Sequence, residues 1–491
     1  MCAPARHPAA VDQVRMGESR GRWVLFAAVL GSGIALLDST VVNIALPTLA
    51  RDLDADLVDL QWTVNGYVLS LAALILLGGS LGDLFGRRRV FVIGTVWFGV
   101  ASLLCGLAPN VETLIAARVL QGVGAALLTP GSLSLLQASF VPGDRARAVG
   151  AWSGLGGIAG ALGPFVGGAL VEISWRLVFL INLPLCAAVV VIALRHVPES
   201  RDAEADPRID VAGAVLGALG LAAITYALVA AGEQGASLTV LVIGLVGVAA
   251  ALGFVVVEQR SSHPMLPVDV FASRQFTAAN LVTFAVYAAL GGVFFLLVVH
   301  LQVVAGFSPL ASGLSLLPVT VLMLLLSARA GALSARTGPR LLMTVGPLLC
   351  AAGVLLLRRV DADADYVRDV LPGVMVFGLG LSATVAPLTV TVLGAASERH
   401  AGVASGVNNA VARTASLLAV AVLPLAAGLT GTDDPAGFGQ GFDRAMVLSA
   451  VLLVLGGLVS AVAIRDGDAQ RPRRPRHEPV HSCAVDGPPA A

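Results

Sequence analysis

The sequence predicts an all-α, polytopic integral membrane protein, and three observations support this fold class. Of its 491 residues, 57% are hydrophobic. Only 13% are charged, whereas soluble domains usually carry about a quarter charged residues. The apolar residues also recur in uninterrupted runs from Trp23 almost to Arg465. These runs reach the length of about 20 residues with which a helix crosses a bilayer.

Fourteen runs are apolar and long enough to be membrane spans, and twelve is the alternative count if residues 209–258 form a single re-entrant unit. Residues 1–22 are expected to form an N-terminal cytoplasmic tail. The Arg- and Pro-rich residues 466–491 are expected to be a disordered cytoplasmic tail. The predicted spans are residues 23–47, 61–82, 90–108, 112–137, 147–170, 177–197, 209–231, 238–258, 276–303, 308–330, 341–358, 370–393, 400–428 and 443–465.

Arginine placement in the short loops predicts the orientation of these spans. One side carries Arg87, Arg88 and Arg89 together with most of the other loop arginines, and we call it the arginine-rich side. The opposite side, where Asp52 and Asp54 lie, is called the aspartate-rich side. We expect the arginine-rich side to be cytoplasmic. An even number of spans then places both termini in the cytoplasm of a multi-pass plasma-membrane protein.

Several function classes find no support in the sequence. The formal net charge is zero, so no basic surface indicates nucleic acid. No Walker-type glycine loop is present, so ATP is not the expected energy source. HExxH occurs once, at residues 477–481 of the Pro-rich tail, and GxSxG occurs at residues 17–21 and 78–82. None of the three has the helix or the strand-to-helix turn that its motif requires, so no enzyme is expected. The five cysteines are scattered without metal-ligand spacing, so neither a metal nor another cofactor is expected.

The loop after span two is similar to the loop after span ten. The first reads Gly79-Ser-Leu-Gly-Asp83-Leu-Phe-Gly86-Arg87-Arg88, and the second reads Gly331-Ala-Leu-Ser-Ala335-Arg336-Thr-Gly338-Pro-Arg340. The two loops hold the same ordinal place if spans 1–6 and 9–14 are related halves, a recurring plan in transporters. We therefore expect six-helix halves at residues 23–198 and 276–465, with two inserted helices in residues 199–275. Chance similarity of the two loops is the alternative.

Short motifs with embedded polar residues follow one another along the first six spans. They are Leu37-Asp38-Ser-Thr-Val-Val-Asn43-Ile-Ala-Leu-Pro47, Gln61-Trp62 through Tyr67, the Gly79–Arg88 loop, Arg118-Val-Leu-Gln121-Gly, Gly163-Pro164-Phe-Val-Gly167-Gly168, and Trp175-Arg176 through Asn182-Leu-Pro184. Together they resemble the major facilitator superfamily, specifically its fourteen-span drug:proton antiporter branch. The resemblance implies the major facilitator fold, with two six-helix halves plus two inserted helices.

Asp38 is an ionisable residue inside an apolar span, where charge is costly unless it faces a cavity or a partner. It lies nine residues from Pro47, or about 13 Å, and Arg118 lies six residues beyond Glu112, or about 9 Å. Similar depth makes Arg118 the expected partner. The resemblance implies that Asp38 and Arg118 couple transport to protons. A static buried ion pair, or a neutral hydrogen-bonded Asp38, is the alternative.

Five polar residues are candidates for lining the substrate cavity: Asn43, Gln121, Asn408, Asn409 and Arg413. Arg413 is a third embedded charge, near the middle of span thirteen. It could attract an anionic group of the substrate, pair across the cavity, or be satisfied by carbonyls of its own half. These alternatives stay open.

Span five carries a glycine face, since Gly156, Gly160, Gly163 and Gly167 follow one another at steps of four, three and four residues. Small residues let membrane helices approach closely, and Pro164 can bend the span. The resemblance implies that this antiporter motif, with Gly168, closes the outer side against the opposite half. Plain helix packing is the alternative.

The loop motif consists of Gly79, Asp83, Gly86, Arg87 and Arg88, and the resemblance implies that it latches the two halves in one conformation. The alternative is that its arginines act only as topology signals. Leu84 stands where the family usually has a basic residue, and Ala335 replaces the acid in the second copy. The loop's charge network is therefore expected to be thin.

The sequence thus predicts a proton-coupled antiporter that exports small, apolar or cationic organic compounds by alternating access. Drug or antibiotic resistance is the role that the resemblance implies. The proton gradient would supply the energy without ATP, and the protein is expected to act as a monomer in the bilayer. A transporter of one specific metabolite with the same machinery, or a non-transporting membrane sensor, is the alternative.

Overall fold

The chain is helical throughout the part that the computed structural model describes. The described residues are 13–201, 210–235, 237–261, 266, 268–395, 401–429 and 434–466. No strand occurs among them, although Val14 and Phe140 form an isolated bridge. The predicted all-α class is confirmed. Almost all of the predicted tail 466–491, and residues 1–12 of the N-terminal tail, lie outside the described residues.

Sixteen α-helices make up most of the described chain. They are α1 Ser19–Leu53, α2 Leu57–Phe85, α3 Arg87–Gly106, α4 Val111–Ser139, α5 Pro142–Ile173, α6 Leu177–Leu180, α7 Asn182–His196, α8 Val211–Gln234, α9 Leu238–Arg260, α10 Arg274–Val303, α11 Pro309–Ser315, α12 Leu317–Thr337, α13 Pro339–Leu356, α14 Leu371–Gly394, α15 Ala401–Ala427 and α16 Pro435–Ala463. Short pairs such as α6 and α7, or α11 and α12, together form one apolar segment.

Thirteen apolar helical segments among the described residues are long enough to cross a membrane. α5 is a further long helix of 32 residues. Its described apolar stretch, Leu162–Ile173, is shorter than a span. The polytopic helical class is therefore confirmed, whereas the count of fourteen remains a prediction.

The turn between α1 and α2 is built from acidic residues on the aspartate-rich side. Asp54 ends α1 in the left-handed region with φ 51°. The Asp56 side chain then accepts from the Asp59 amide, and the Asp59 side chain accepts from the Asp56 amide. Such a capping box satisfies amides that a helix start leaves without intrahelical partners. The start of α2 is thus fixed, and Gln61 lies one turn inside it.

The long helices pack in two groups, which we call the first half (α1–α7) and the second half (α10–α16). In the first half, α4 packs on α2 and α3, and α5 packs on α1. In the second half, α14 packs on α12 and α13, and α16 packs on α10 and α13. In each half, one helix therefore packs against both of the helices that flank the repeated loop. This helix is α4 in the first half and α14 in the second half.

The two copies of the repeated loop make the same main-chain contact. The Arg88 amide donates to Glu199 Oε1 at 3.0 Å, just after the last helix of the first half. The Arg340 amide donates to Asp466 Oδ1, also at 3.0 Å, just after the last helix of the second half. Each loop is thus tied to the end of its own half in the same way, which supports the internal repeat.

A glycine lies two residues before each of these arginines, at a point where the backbone has a positive φ. Gly86 has φ 108° and Gly338 has φ 87°. Residues other than glycine rarely adopt such positive φ values, because their Cβ atom clashes with the backbone. The repeated glycines therefore allow each loop to turn sharply into the next helix.

Hydrogen bonds between described residues join the halves only on the aspartate-rich side. They run from Gln61 Nε2 to the Val420 carbonyl at 2.8 Å, from Gln302 Nε2 to the Ile44 carbonyl at 3.0 Å, and from Ser308 Oγ to Glu172 Oε1 at 3.4 Å. On the same side, α5 packs against α11 of the second half. The halves are thus held together at this end of the molecule.

The pair α8–α9 lies beside the line along which the halves meet. α8 packs against α2 of the first half and α15 of the second half. The Trp62 and Tyr226 rings contribute to this contact with centroids 6.1 Å apart. α9 packs on α8, and its apolar side chains, such as Leu241 and Leu252, are exposed as expected for a lipid-facing helix. The pair is therefore peripheral to both halves.

Candidate functional site

Two opposite charges lie in direct contact in the buried interior of the first half. Arg118 Nη1 of α4 is 2.6 Å from Asp38 Oδ2 of α1. The side chains are 1% and 0% exposed, respectively. Charges removed from water to this degree are stable only when they are paired and hydrogen-bonded. The structure thus brings together Asp38 and Arg118, which their similar depth in the predicted spans indicated as partners.

Two neutral side-chain amides donate hydrogen bonds to the other oxygen of the Asp38 carboxylate. Gln121 Nε2 donates to Asp38 Oδ1 at 2.8 Å, and Asn182 Nδ2 donates to the same atom at 2.9 Å. Both amides also contact Ser102 Oγ, at 2.8 and 3.3 Å. Asp38 therefore accepts bonds from three side chains, which lie on α4 and α7.

Arg118 is held by groups other than the carboxylate as well. Its Nε donates to the Thr63 carbonyl of α2 at 3.0 Å, and its Nη1 donates to Gln121 Oε1. Its guanidinium lies over the Tyr67 ring, 4.3 Å from the centroid. A cation over an aromatic face is attracted by the ring quadrupole. The position of Arg118 is thus fixed from three directions.

The two charges make the packing of α1 on α4 depend on electrostatics. The Asp38 carboxylate is compensated by the guanidinium and two amides. Breaking a buried pair by removing one charge costs about 3–5 kcal/mol. Loss of either charge would therefore be large enough to alter how α1 and α4 pack.

The candidate cavity residues fall into different environments. Gln121 belongs to the Asp38 site rather than to a cavity wall. Asn43 is half-buried, and its Oδ1 accepts no hydrogen bond from the described residues. Asn408 donates to Asn280 Oδ1 at 3.2 Å and to Thr283 Oγ1 at 2.7 Å, inside its own half. Asn408 is thus engaged with α10 and not with the first half.

Asn409 and Arg413 instead share a face of α15. They lie one helical turn apart, and Gly406 and Val420 fall on the same face because of the helical period. Gly406 faces Leu76 of α2, and the Val420 carbonyl accepts a bond from α2. Asn409 is exposed and Arg413 is half-buried. Both residues therefore lie on the surface that the second half presents to the first.

Comparison with known proteins decides the family. Residues 28–420, far more than half of the chain, match the sequence model of the Major Facilitator Superfamily. The chain belongs to the Major Facilitator Superfamily. As a major facilitator protein, it is a membrane transporter and not an enzyme.

Curated relatives of this major facilitator protein are similar over most of their length. The tetracenomycin C resistance and export protein of Streptomyces glaucescens is 36% identical over 421 residues, which cover 85% of this chain and 78% of the relative. The multidrug resistance protein Stp of Mycobacterium tuberculosis is 34% identical over 417 residues, with 84% and 77% covered. The lincomycin resistance protein of Streptomyces lincolnensis is 35% identical over 460 residues, with 92% and 94% covered.

Solved structures share the major facilitator fold. A bacterial homolog of the human lysosomal transporter Spinster, in an inward-facing and occupied conformation, has a TM-score of 0.67 at 16% identity and covers 92% of this chain and 98% of its own. The D-xylose–proton symporter has a TM-score of 0.66 at 15% identity and covers 92% and 100%. At such low identity these likenesses bear on the fold alone, and they confirm it.

The glycine face of α5 packs in two directions in this major facilitator protein. Gly163 and Gly167 lie against α1 of their own half, where they face Thr40 and Val41. Gly168 faces α11 of the second half, and a Cβ atom added to it would lie 2.6 Å from the Leu310 Cα. One part of the motif therefore serves packing within the half, and the other part lets the halves approach.

Pro164 belongs to the second of these surfaces. Gly313 of α11 lies directly against the Pro164 carbonyl, so close that any side chain at residue 313 would clash. The surroundings of Gly156 and Gly160 lie outside the described residues. Pro164 and Gly168 are thus the residues of the motif that lie against the second half, and the closure of the aspartate-rich side by α5 remains a prediction.

The loop motif makes its described contacts within the first half. Arg87 pairs with Asp83 at 2.8 Å, and the two side chains are 21% and 39% exposed. Arg88 lies 3.5 Å from Glu199. Gly79 approaches Pro130 of α4. The latch between halves that the resemblance implies therefore remains a prediction, because these residues face their own half here.

Sequence reasoning gave no role to several polar residues that the structure places at the site and at the closed end. Ser102 and Asn182 complete the Asp38 site, and Gln61 and Gln302 link the halves. Each is an isolated polar residue within or at the end of an apolar run. That signal could have marked them as candidates, although it could not have named their partners.

Proposed function

We propose that this protein is a proton-coupled antiporter that exports small organic compounds by alternating access. The observation that carries the proposal is the Asp38 site. A fully buried carboxylate, compensated by one arginine and by neutral amides, is a group that can gain and lose a proton with a structural consequence. Relatives named as resistance and export proteins support the direction of transport.

We infer that the arginine-rich side is cytoplasmic, since loop arginines favour that side. Both termini would then lie in the cytoplasm, and the protein would be a fourteen-span protein of the plasma membrane. Residues 23–198 and 276–465 would be the six-helix halves, residues 199–275 would carry the two inserted helices, and residues 1–22 and 466–491 would be tails. One chain carries both halves, so a monomer would suffice for transport.

The proposed cycle starts from the state in which the molecule is closed on the aspartate-rich side. With the halves joined on the aspartate-rich side, the protein faces the cytoplasm and the Asp38 carboxylate is paired with Arg118. A compound enters between the halves, which then rock open to the outside. A proton from outside neutralises Asp38 and loosens its hold on Arg118. Return to the inward-facing state releases the proton to the cytoplasm and restores the pair.

The remaining motifs have supporting roles in this cycle. Pro164 and Gly168 would separate from α11 when the outer side opens. The Asp83–Arg87 loop would bind the second half when the inner side closes. Asn43, Asn409 and Arg413 are the candidates for contact with the compound, since Gln121 and Asn408 are engaged elsewhere.

The exported compounds are proposed to be small and largely apolar, and export would confer resistance to a toxic compound or antibiotic. The names of the relatives support antibiotics as the exported compounds, as they include tetracenomycin C and lincomycin. The cationic substrates that the sequence also predicted have less support. Asp38, the carboxylate that would attract them, already accepts bonds from Arg118 and two amides.

The test compares export by wild type and Asp38→Asn in cells loaded with an uncharged, apolar fluorescent dye. Wild type should lower the dye content, and both the substitution and a protonophore should abolish this loss. Asp52→Asn is a matched control, because it removes an exposed carboxylate from the same helix. We expect Asp52→Asn to export like wild type.

Undiminished export by Asp38→Asn would contradict the proton site. Export of one compound from a broad panel would favour a transporter of a single metabolite. The absence of any flux, with full resistance retained, would favour a membrane sensor.

A further inference from the structure

Arg413 occupies the centre of the surface that the second half presents to the first. It lies seven residues from Gly406 and seven residues from Val420, or about 10 Å from each along α15. Both of those residues contact α2 of the first half. Since seven residues are close to two helical turns, all three point toward the first half. Arg413 is thus midway along the line where the halves meet.

No described residue neutralises this arginine. The Arg413 side chain forms neither a hydrogen bond nor an ion pair with any part of the chain that the structure describes. It is half-buried, so one side of it remains accessible. Charged residues within a membrane span are costly and normally pair with another group or line a water-filled cavity. An arginine on this face that has no partner among the described residues is therefore available to a ligand.

Arg413 lies within electrostatic range of Tyr67 of α2 and Tyr287 of α10. The Tyr67 ring also lies under Arg118, the partner of Asp38. Arg413 is therefore in the region of the meeting surface that is close to the Asp38 site.

The formal charges of Asp38, Arg118 and Arg413, which lie within the membrane helices, do not sum to zero. In the described helices of both halves, Asp38 is the one carboxylate that is fully buried, and it lies near the middle of its helix. Its charge is matched by Arg118 at 2.6 Å. Arg413 therefore leaves one positive charge at the meeting surface. In a low-dielectric region this excess attracts anions and repels cations.

We propose that Arg413 binds an acidic group of the exported compound, so that the substrates are small organic acids with a carboxylate or similar oxyanion on an apolar scaffold. The inference rests on the proposed export function and names the substrate class for it. The guanidinium presents paired N–H donors that match the two oxygens of a carboxylate. This class replaces the cationic substrates expected from the sequence.

The test uses two dyes that differ in one group. Rhodamine 110 carries a free carboxylate, and rhodamine 123 is its methyl ester with the same cationic ring system. Binding of each dye is measured by fluorescence anisotropy with the full chain in phosphatidylcholine nanodiscs, for wild type, Arg413→Gln and Arg413→Lys. We expect Arg413→Gln to weaken binding of the acid about tenfold, as for the loss of a charge-assisted hydrogen bond.

The ester is the internal control. Its affinity should not fall in Arg413→Gln, because the ester has no carboxylate to lose and its cationic ring is no longer repelled. Retained binding of the ester also shows that the variant is folded. Arg413→Lys should retain part of the affinity for the acid, because it keeps the charge but not the paired donors. Arg444→Gln, which removes an exposed arginine of the same half, should change neither affinity.

Equal losses for acid and ester in Arg413→Gln, or no loss for either, would overturn the assignment of Arg413. This outcome differs from a failure of the proposed function. Export of the uncharged dye that depends on Asp38 and on the proton gradient would leave the antiporter intact while removing the acid site. Selective loss of the acid would support the site even if export proved to be driven by another ion.

Discussion

The two halves share a scaffold but differ in their buried chemistry. In the first half, Asp38 and Arg118 form an ion pair that is at most 1% exposed. In the second half, Asn280 and Thr283 of α10 bind the neutral Asn408, and Arg413 has no partner among the described residues. The repeated loops, by contrast, make the same contact at the same distance. The two halves are thus alike in the contact that ties the loop to the end of each half, while a buried acid is present in one half alone among the described residues.

The largest expected effect comes from removing the acid that distinguishes the first half. Asp38→Asn leaves the Arg118 charge buried without a counter-ion, and we expect it to lower the free energy of unfolding by about 3–5 kcal/mol. Asp38→Asn combined with Arg118→Gln removes both charges. The double variant should therefore recover most of the stability but none of the proton coupling.

Thermal unfolding in detergent and proton-driven export measure the two properties separately. A double variant as unstable as the single one would mean that hydrogen bonds, rather than charge, hold α1 to α4. A double variant that still exports under a proton gradient would remove Asp38 from the coupling mechanism.

The second-largest expected effect concerns the hydrogen bonds that join the halves on the aspartate-rich side. The carbonyl acceptors of these bonds differ between the two halves. Pro424 has no amide hydrogen, so the Val420 carbonyl four residues earlier lacks its usual intrahelical donor. Gln61 supplies that donor from the other half. We expect Gln61→Leu to leave the carbonyl unsatisfied and to shift the equilibrium toward the outward-open state about tenfold.

Gln302→Leu is the matched variant. Its acceptor, the Ile44 carbonyl, lies in a helix where the Thr48 amide is available as an intrahelical donor. Its effect should be smaller, about threefold. The measurement is the labelling rate of Ala421→Cys by an impermeant maleimide added from outside, in a background without the native cysteines. Equal rates for wild type and Gln61→Leu would show that this bond does not hold the halves together.

A third prediction tests how far the loops are equivalent. Gly86→Ala and Gly338→Ala place a side chain at φ 108° and φ 87° and bring its Cβ against Glu199 and Asp466. Each should lower the free energy of unfolding by about 1–3 kcal/mol. Gly143→Ala is the control, since a Cβ there meets nothing within 4 Å. Unfolding in detergent measures all three. A loss at one loop alone would show that the loops only resemble each other.

How much the sequence could predict depends on whether a feature is local. The apolar runs, the repeated loop and the similar depth of Asp38 and Arg118 follow from spacing along single helices. The contact of Asp38 with Asn182 could not be predicted, because it depends on how α1 packs against α7. The Gln61–Val420 bond is harder still. It requires both the missing amide of Pro424 and the relative position of the two halves.

The smallest expected effect concerns the one charged pair that only the first loop contains. Asp83 and Arg87 are partly exposed, and such surface pairs contribute about 0–1 kcal/mol. Asp83→Asn should therefore leave the unfolding temperature nearly unchanged and reduce export only severalfold. In the second loop, Pro339 stands where the first has Arg87. Ala335→Asp should consequently change neither stability nor export, because the new acid finds no arginine one turn later. If Asp83→Asn abolished export as fully as Asp38→Asn, the loop would be essential to the cycle, and its contacts in the outward-open state would have to differ from those seen here.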